Sequence, residues 1–137
     1  MNINIDFVNI LRNSGLRPTK QRLKICEVLF NTEKTFHFTV NDLSKIISEK
    51  LNQKISLATV YNTVHAFKKK GYLKEISMNS EKTYFDTNTS HHHHFFDSST
   101  KELTDLSDDQ VEKIKINKAL PGKKISSVEI LVKVENE

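Results

Sequence analysis

Residues 56–71 read SLATVYNTVHAFKKKG, a stretch with the pattern of an amphipathic helix. Its first residue, Ser56, is of a type that caps helix starts, and its last, Gly71, is of a type that closes helix ends. Apolar residues recur at helical spacing and are expected to face a core: Leu57, Val60, Val64 and Phe67. The outward face is expected to carry short polar and aromatic groups: Ser56, Thr59, Tyr61, Asn62, Thr63 and His65. Such groups can reach base edges in a DNA groove, so we interpret this stretch as a recognition helix.

Three further helices are predicted before this one. The first closes at Gly15, and the second follows Pro18 with Thr19 as its cap. The third begins at Thr39, where Asp42 completes a capping box. After the recognition helix, residues 72–77 and 82–87 are predicted strands, joined by the turn MNSE at 78–81.

Helices followed by a hairpin are the order of a winged helix. We therefore predict an α+β protein with a winged-helix DNA-binding domain over residues 1–86 and a hinge over 87–90. Residues 91–137 are predicted to form a small α/β dimerisation domain that also senses metal or haem. Its expected elements are a strand at the histidine run, a second strand, a helix from Asp108 to about Ala119, and a final strand in ISSVEILVKV. About 50 residues are too few to bury a stable core alone, so we expect a homodimer.

Composition restricts the classes of protein. The chain has 137 residues, a net charge of +4 and a single cysteine, which excludes an internal disulfide and a cysteine-only zinc site within one chain. No run of about 18 apolar residues and no secretory signal pattern is present, so we expect a cytoplasmic protein without a membrane partner. Residues 1–87 carry 14 basic against 8 acidic side chains, while 88–137 carry 7 against 9. The basic part suits nucleic acid, and a lysine-rich soluble domain is the alternative.

Four consecutive histidines occupy residues 91–94. On a strand, side chains alternate, so His92 and His94 face one way and His91 and His93 the other. Two imidazoles on one face lie about 6–7 Å apart along the strand and can converge on a metal ion. A solvated polar run is the alternative.

Other ligand types lie elsewhere in the sequence. His37 precedes the third helix, Asp86 ends the hairpin, and Asp105 lies in the next predicted strand. With His92 and His94 they form a nitrogen and oxygen set that suits Fe(II), Mn(II) or Zn(II). An ion shared by both predicted domains would fix their relative orientation and could set DNA affinity.

Five motifs together resemble the ferric uptake regulator (Fur) superfamily over residues 15–134: GLRPTKQR, FHFTVNDL, SLATVYNTVHAFKKKGYLKE, KTYFDTN and HHHHFF. The resemblance implies a winged helix with a small α/β dimerisation domain, acting as a homodimeric transcription regulator on double-stranded operator DNA and not as an enzyme. We expect DNA contacts from two groups of side chains: Arg17, Thr19, Lys20 and Arg22, then Ser56, Thr59, Tyr61 and Asn62.

The resemblance also implies a regulatory metal site. Position by position, its ligands are His37, Asp86, His92, His94 and Asp105, with His91 or His93 as possible replacements. Most members bind a structural zinc through two Cys-x-x-Cys pairs. Here Asp97 and Thr100 replace the first pair and no second pair follows, so no four-cysteine zinc is expected.

Loss of the cysteines, together with the histidine run before Phe95 and Phe96, resembles one branch, the iron response regulator (Irr). That likeness implies haem bound at His92, His93 and His94, delivered by a haem-synthesis enzyme, with loss of DNA binding. The Cys-Pro haem motif of some members is absent. A peroxide- or metal-sensing repressor that holds Fe(II) or Mn(II) at the same site is the alternative. A metal hydrolase is disfavoured because no nucleophile motif and no neighbouring glutamate are present.

Overall fold

The computed structural model describes residues 6–78 and 80–137. The chain divides into two compact units, Met1–Thr89 and Ser90–Glu137. Asn79, in the predicted turn at 78–81, lies outside the described residues. None of the helices within the described ranges has the length and apolar character needed to cross a bilayer.

Four helices build most of the first unit: α1 Phe7–Asn13, α2 Lys20–Phe30, α3 Val40–Leu51 and α4 Leu57–Lys70. The predicted caps are confirmed. Thr19 Oγ1 accepts the Arg22 N–H at 3.2 Å, and Ser56 Oγ accepts the Thr59 N–H at 3.2 Å. α4 ends at Gly71, whose φ of +90° lies in the left-handed region that glycine adopts without strain.

A three-stranded antiparallel sheet completes the first unit, with β1 His37–Phe38, β2 Lys74–Ile76 and β3 Tyr84–Asp86 in the order β1-β3-β2. The hairpin β2–β3 was expected from sequence, whereas β1 was not. β1 has two residues, too few for a period-2 pattern, and it exists because its backbone pairs with β3.

The core of the first unit lies between the helices and the sheet. Its fully or nearly fully buried members include Leu11, Ile25, Leu29, Phe38, Leu43, Ile47, Val60, Val64, Phe67 and Phe85. Two expectations for α4 are wrong: Leu57 is 51% exposed, and Thr63 is fully buried. Thr63 shares the helical face of Val60 and Phe67, and its hydroxyl donates to the Thr59 carbonyl at 2.7 Å. Burial of that hydroxyl is tolerated because it is hydrogen-bonded.

The second unit is a three-stranded sheet with β4 His93–Asp97, β5 Leu103–Leu106 and β6 Leu131–Val134. β4 is central, antiparallel to β5 and parallel to β6. The last strand is therefore shorter than the ten-residue ISSVEILVKV segment suggested. The α+β class predicted from sequence is confirmed by the helices of the first unit and the sheets of both.

The predicted helix from Asp108 to about Ala119 is wrong. A single 3₁₀ turn, Asp108–Gln110, stands at its start, and no helix follows in the described residues up to 137. Helices in proteins are stabilised mainly by packing an apolar face. Ile114 and Ile116, two of the positions that the helix was expected to bury, are 44% and 51% exposed, so the apolar face that would stabilise a helix is not packed.

Candidate metal-ligand sets and DNA-reading surface

One histidine and one aspartate meet across the sheet of the first unit. β1 and β3 pair His37 directly opposite Asp86, and His37 Nε2 lies 3.2 Å from Asp86 Oδ2. The Asp86 side chain is almost completely buried, and its Oδ1 also accepts the Asn88 N–H at 2.8 Å. Hydrogen bonding and the register of the sheet thus hold both potential ligands in place. We name these two residues the first-unit pair.

Two histidines and one aspartate meet in the second unit. His94 on β4 pairs across the sheet with Asp105 on β5, and His92 precedes β4 on the same face. Asp105 Oδ1 lies 3.3 Å from His92 Nε2 and 3.5 Å from His94 Nε2. The two imidazole rings are 4.5 Å apart. We name these three residues the second-unit set.

The tautomer of His92 suits a metal ligand. Its Nδ1 lies 2.7 Å from the Ser90 carbonyl, which can only accept, so Nδ1 carries a proton and Nε2 is the nitrogen that faces the second-unit set. Metal bonds of about 2.1 Å place neighbouring ligand atoms about 3–3.5 Å apart. Distances of 3.2 to 3.5 Å in both sets fit that requirement. Imidazole nitrogen and carboxylate oxygen suit Fe(II), Mn(II) or Zn(II).

The other two histidines of the run lie on the opposite face, as the predicted alternation requires. His93 accepts the Ile130 N–H on Nδ1 at 3.0 Å and donates from Nε2 to Asp108 Oδ1 at 2.9 Å. His91 donates from Nε2 to the Val128 carbonyl at 3.0 Å. Both nitrogens of His93 are thus engaged in holding the 3₁₀ turn and the segment before β6 to the central strand.

The three histidines of the haem prediction are all buried. His92, His93 and His94 are 6%, 2% and 5% exposed, and His93 points away from the other two. The structure therefore brings His92 and His94 together but leaves His93 on the other side of the sheet.

The predicted DNA contacts near α2 differ in how free their side chains are. Arg17, Thr19 and Lys20 are exposed, whereas Arg22 is half-buried. The Thr19 hydroxyl caps α2, and the Arg22 guanidinium donates to the Arg17 carbonyl at 3.1 Å. Arg17 and Lys20 thus present their charge to solvent, while Thr19 and Arg22 also shape the start of the helix.

The predicted contacts on α4 share its exposed side. Ser56 and Thr59 hydroxyls lie 2.8 Å apart at the helix start, where they serve the cap. Tyr61 is 51% exposed and Asn62 is exposed. His65, which we expected on the outward face, is half-buried and stacks on Tyr61 with ring centroids 4.2 Å apart.

Two features of the second unit escaped sequence reasoning. Asp108 was treated as the start of a helix, and its pairing with His93 arises from the way the chain returns to β4. Asp97 closes the β4–β5 turn: its Oδ1 accepts the Ser99 and Thr100 N–H groups at 2.8 and 3.3 Å. An aspartate two residues before a serine is a signal for such a turn and could have been used.

The fold and the ligands define an α+β protein with a helical unit, a hairpin and His/Asp metal-ligand sets. The model of the ferric uptake regulator family matches residues 13–133, and the chain belongs to that family. Family membership confirms the superfamily prediction, while the likeness to the Irr branch stays a prediction.

Relatives with two different roles match the chain. It is 36% identical to the ferric uptake regulation protein of Yersinia pestis over 81 residues, 59% of this chain and 53% of that protein. It is 34% identical to the peroxide operon regulator of Bacillus subtilis over 85 residues, 62% of this chain and 57% of that protein. The matched region thus spans little more than half the length of these relatives.

The fold also matches a solved structure over nearly its whole length. The crystal structure of the Vibrio cholerae ferric uptake regulator superposes with a TM-score of 0.73 at 25% identity. The match covers 96% of this chain and 100% of that one.

Proposed function

We propose that the protein is a metal-responsive transcriptional regulator, which binds operator DNA in the cytoplasm as a homodimer and is not an enzyme. The observation that carries the proposal is the pairing of His37 with Asp86 at 3.2 Å on the same unit that presents the exposed face of α4. The V. cholerae relative is described as having DNA-binding domains that rearrange. Family membership supports the same role for this chain.

We further propose that one Fe(II), Mn(II) or Zn(II) ion is held jointly by the first-unit pair and the second-unit set. The supporting observations are the ligand spacing within each set and the nitrogen and oxygen donors they offer. Joint binding would restrict how the two units move, and that restriction is the proposed switch on DNA affinity. A structural four-cysteine zinc has no place in this scheme, because Cys26 is the only cysteine.

The metal response is tested with Mn(II) as the probe. Duplexes selected from a random library in the presence of Mn(II) are measured by fluorescence anisotropy with the metal and after chelation. We expect the wild type to change affinity with Mn(II), and His92→Ala to lose that response. His91→Ala is the matched control, because this exposed neighbour faces the other side of the strand. Equal responses of His92→Ala and the wild type would overturn the metal assignment.

DNA contacts are tested by two substitutions with different signatures. Arg17→Ala should weaken binding to all sequences and lower the slope of log affinity against log salt by about 1, since one phosphate contact is lost. Asn62→Ala should instead relax the sequence preference, because a base-edge contact is lost. If both variants keep the DNA affinity and the sequence preference of the wild type, neither residue contacts the DNA.

Haem is the finer proposal, drawn from the likeness of the histidine run to the Irr branch. His92 and His94 cannot serve haem iron and the metal set at once, so added haem should release bound Mn(II) and lower operator affinity together. A haem-synthesis enzyme is the proposed donor. Replacement of His92, His93 and His94 by alanine should abolish the Soret band of the complex. If Fe(II) and peroxide end DNA binding while haem does not, the protein is a peroxide-sensing repressor, as the B. subtilis likeness equally allows.

A further inference from the structure

A continuous series of aromatic contacts runs through the first unit. The Tyr61 ring lies 4.2 Å from the His65 ring, and the His65 ring meets Phe85 edge-on at 5.9 Å and 80°. Phe85 stacks on Phe38 at 5.8 Å and 26°. Both geometries are ones that aromatic pairs favour. These ring contacts begin on the exposed face of α4 and reach the core at Phe85 and Phe38.

The buried rings of this series, Phe38 and Phe85, lie next to the first-unit pair. β1 and β3 place Phe38 opposite Phe85 and His37 opposite Asp86, so the two pairs are neighbouring rungs of one ladder. Side chains alternate along a strand, so the two phenylalanines face the helices while His37 and Asp86 face the other way. A backbone shift at His37 or Asp86 would therefore move one of the two strands that carry Phe38 and Phe85.

His65 is the link between the exposed and the buried parts. It is half-buried, whereas Tyr61 is 51% exposed and Phe85 is 1% exposed. A ring packed on one side restricts the directions an exposed tyrosine can take, which lowers the entropy lost when that tyrosine contacts a partner. His65 thus occupies a place where its ring can restrict the orientation of Tyr61.

We propose that His65 is a positioning residue for operator binding: it orients Tyr61 and couples that orientation, through Phe85, to the strand pair that carries His37 and Asp86. The inference rests on the proposed function, in which Tyr61 contacts DNA. It adds a route within a single unit by which metal at the first-unit pair alters the DNA-reading side chain.

The test compares ring-removing and ring-retaining variants in the full chain. Operator affinity is measured by anisotropy with Mn(II) and after chelation. His65→Ala should weaken operator binding about 3- to 10-fold. It should also lower the ratio of operator affinities with and without Mn(II) by at least about threefold. His65→Phe keeps a ring and should restore both. Tyr72→Leu removes a ring that contacts Phe30 and Phe67 and takes no part in the contacts from Tyr61 to Phe38. This variant should leave the effect of Mn(II) on operator affinity unchanged.

A second readout follows Tyr61 directly. The chain has three tyrosines and no tryptophan, so replacing Tyr72 and Tyr84 by phenylalanine leaves Tyr61 as the only fluorophore of its kind. Added Zn(II), a diamagnetic probe, should change Tyr61 emission in this background and not when His65→Leu is added. His65→Leu keeps the side-chain volume, so it serves also if the alanine variant fails to fold.

The outcomes separate this inference from the proposed function. If Tyr61→Ala binds the operator like the wild type, the DNA assignment of Tyr61 fails. If Tyr61→Ala binds weakly while His65→Ala and His65→Leu keep the wild-type effect of Mn(II) on operator affinity and the Zn(II) signal, the positioning role alone is wrong.

Discussion

The two units of the chain bury different kinds of side chain. In the first unit, Met1–Thr89, the buried set is an apolar cluster with aromatic rings at its centre, including Phe38, Phe67 and Phe85. In the second unit, Ser90–Glu137, the buried set among the described residues is His92, His93 and His94 with Leu106. Apolar side chains dominate the buried part of the first unit, whereas the most buried side chains of the second are hydrogen-bonded imidazoles, beside half-buried apolar residues such as Phe95.

The two units therefore depend on different interactions for their stability. Apolar burial needs no ligand, so the first unit should fold independently of metal. Buried imidazoles are tolerated only while their nitrogens have partners. His92 and His93 each direct one nitrogen at a backbone group and the other at a carboxylate, a group that a metal ion would also bind. The second unit should therefore respond to metal in its stability as well as in its function.

The largest expected effect comes from the apolar core. Phe67 is fully buried and its ring lies 5.5 Å from Phe30, so Phe67→Ala should lower the free energy of unfolding by about 3–5 kcal/mol. Phe95→Ala, at a half-buried position on β4, should cost distinctly less. Urea unfolding measures both. Equal losses would contradict the difference in burial between the two positions.

Metal binding should stabilise the second-unit set next most strongly. At a Zn(II) concentration 100 times the dissociation constant, the amides of β4 and β5 should gain about 2.7 kcal/mol of protection in hydrogen exchange. The interior of α2, which lies among apolar neighbours, should gain distinctly less. His94→Ala should abolish the gain, and His91→Ala should keep it. If α2 and β4 gained equal protection on adding Zn(II), the proposed difference between the two units would be wrong.

A smaller effect is expected at the turn between β4 and β5. Asp97→Ala removes the acceptor of the Ser99 and Thr100 N–H groups and should cost about 1 kcal/mol in unfolding free energy. Glu102→Ala, exposed next to the same turn, is the matched control. Circular dichroism during thermal unfolding would detect the shift, and identical midpoints for the two variants would dismiss the role of Asp97.

The smallest effect at neutral pH concerns Cys26, buried on α2. Burial raises the pKa of its thiol from 9.0 to about 12, so the thiol is protonated at neutral pH in the folded and unfolded states alike. Above pH 9 the unfolded chain loses this proton first, and stability should fall as the pH rises from 9 towards 12. Cys26→Ala should lack that component. Rapid thiol labelling of the native protein at pH 8 would contradict the burial.

Local chemistry made several features predictable. Thr19, Thr39 and Ser56 cap helices because their hydroxyls bind N–H groups three residues on, which needs no information from elsewhere in the chain. The alternation of the histidine run follows in the same way from strand geometry. Prediction failed where stability depends on distant partners. β1 forms only by pairing with β3, and the apolar positions that a helix after Asp108 would bury, Ile114 and Ile116, are exposed.

The sequence by itself determined the ligand types, the helix starts and the faces of the histidine run, because all three depend on residues within one turn or one strand. The tertiary structure alone decided which side chains meet. It placed Asp86 opposite His37, turned His93 to Asp108, and set the His65 ring against Phe85. These pairings join residues 15 to 49 positions apart. Strand register and core packing determine such contacts, and no local sequence pattern specifies either of them.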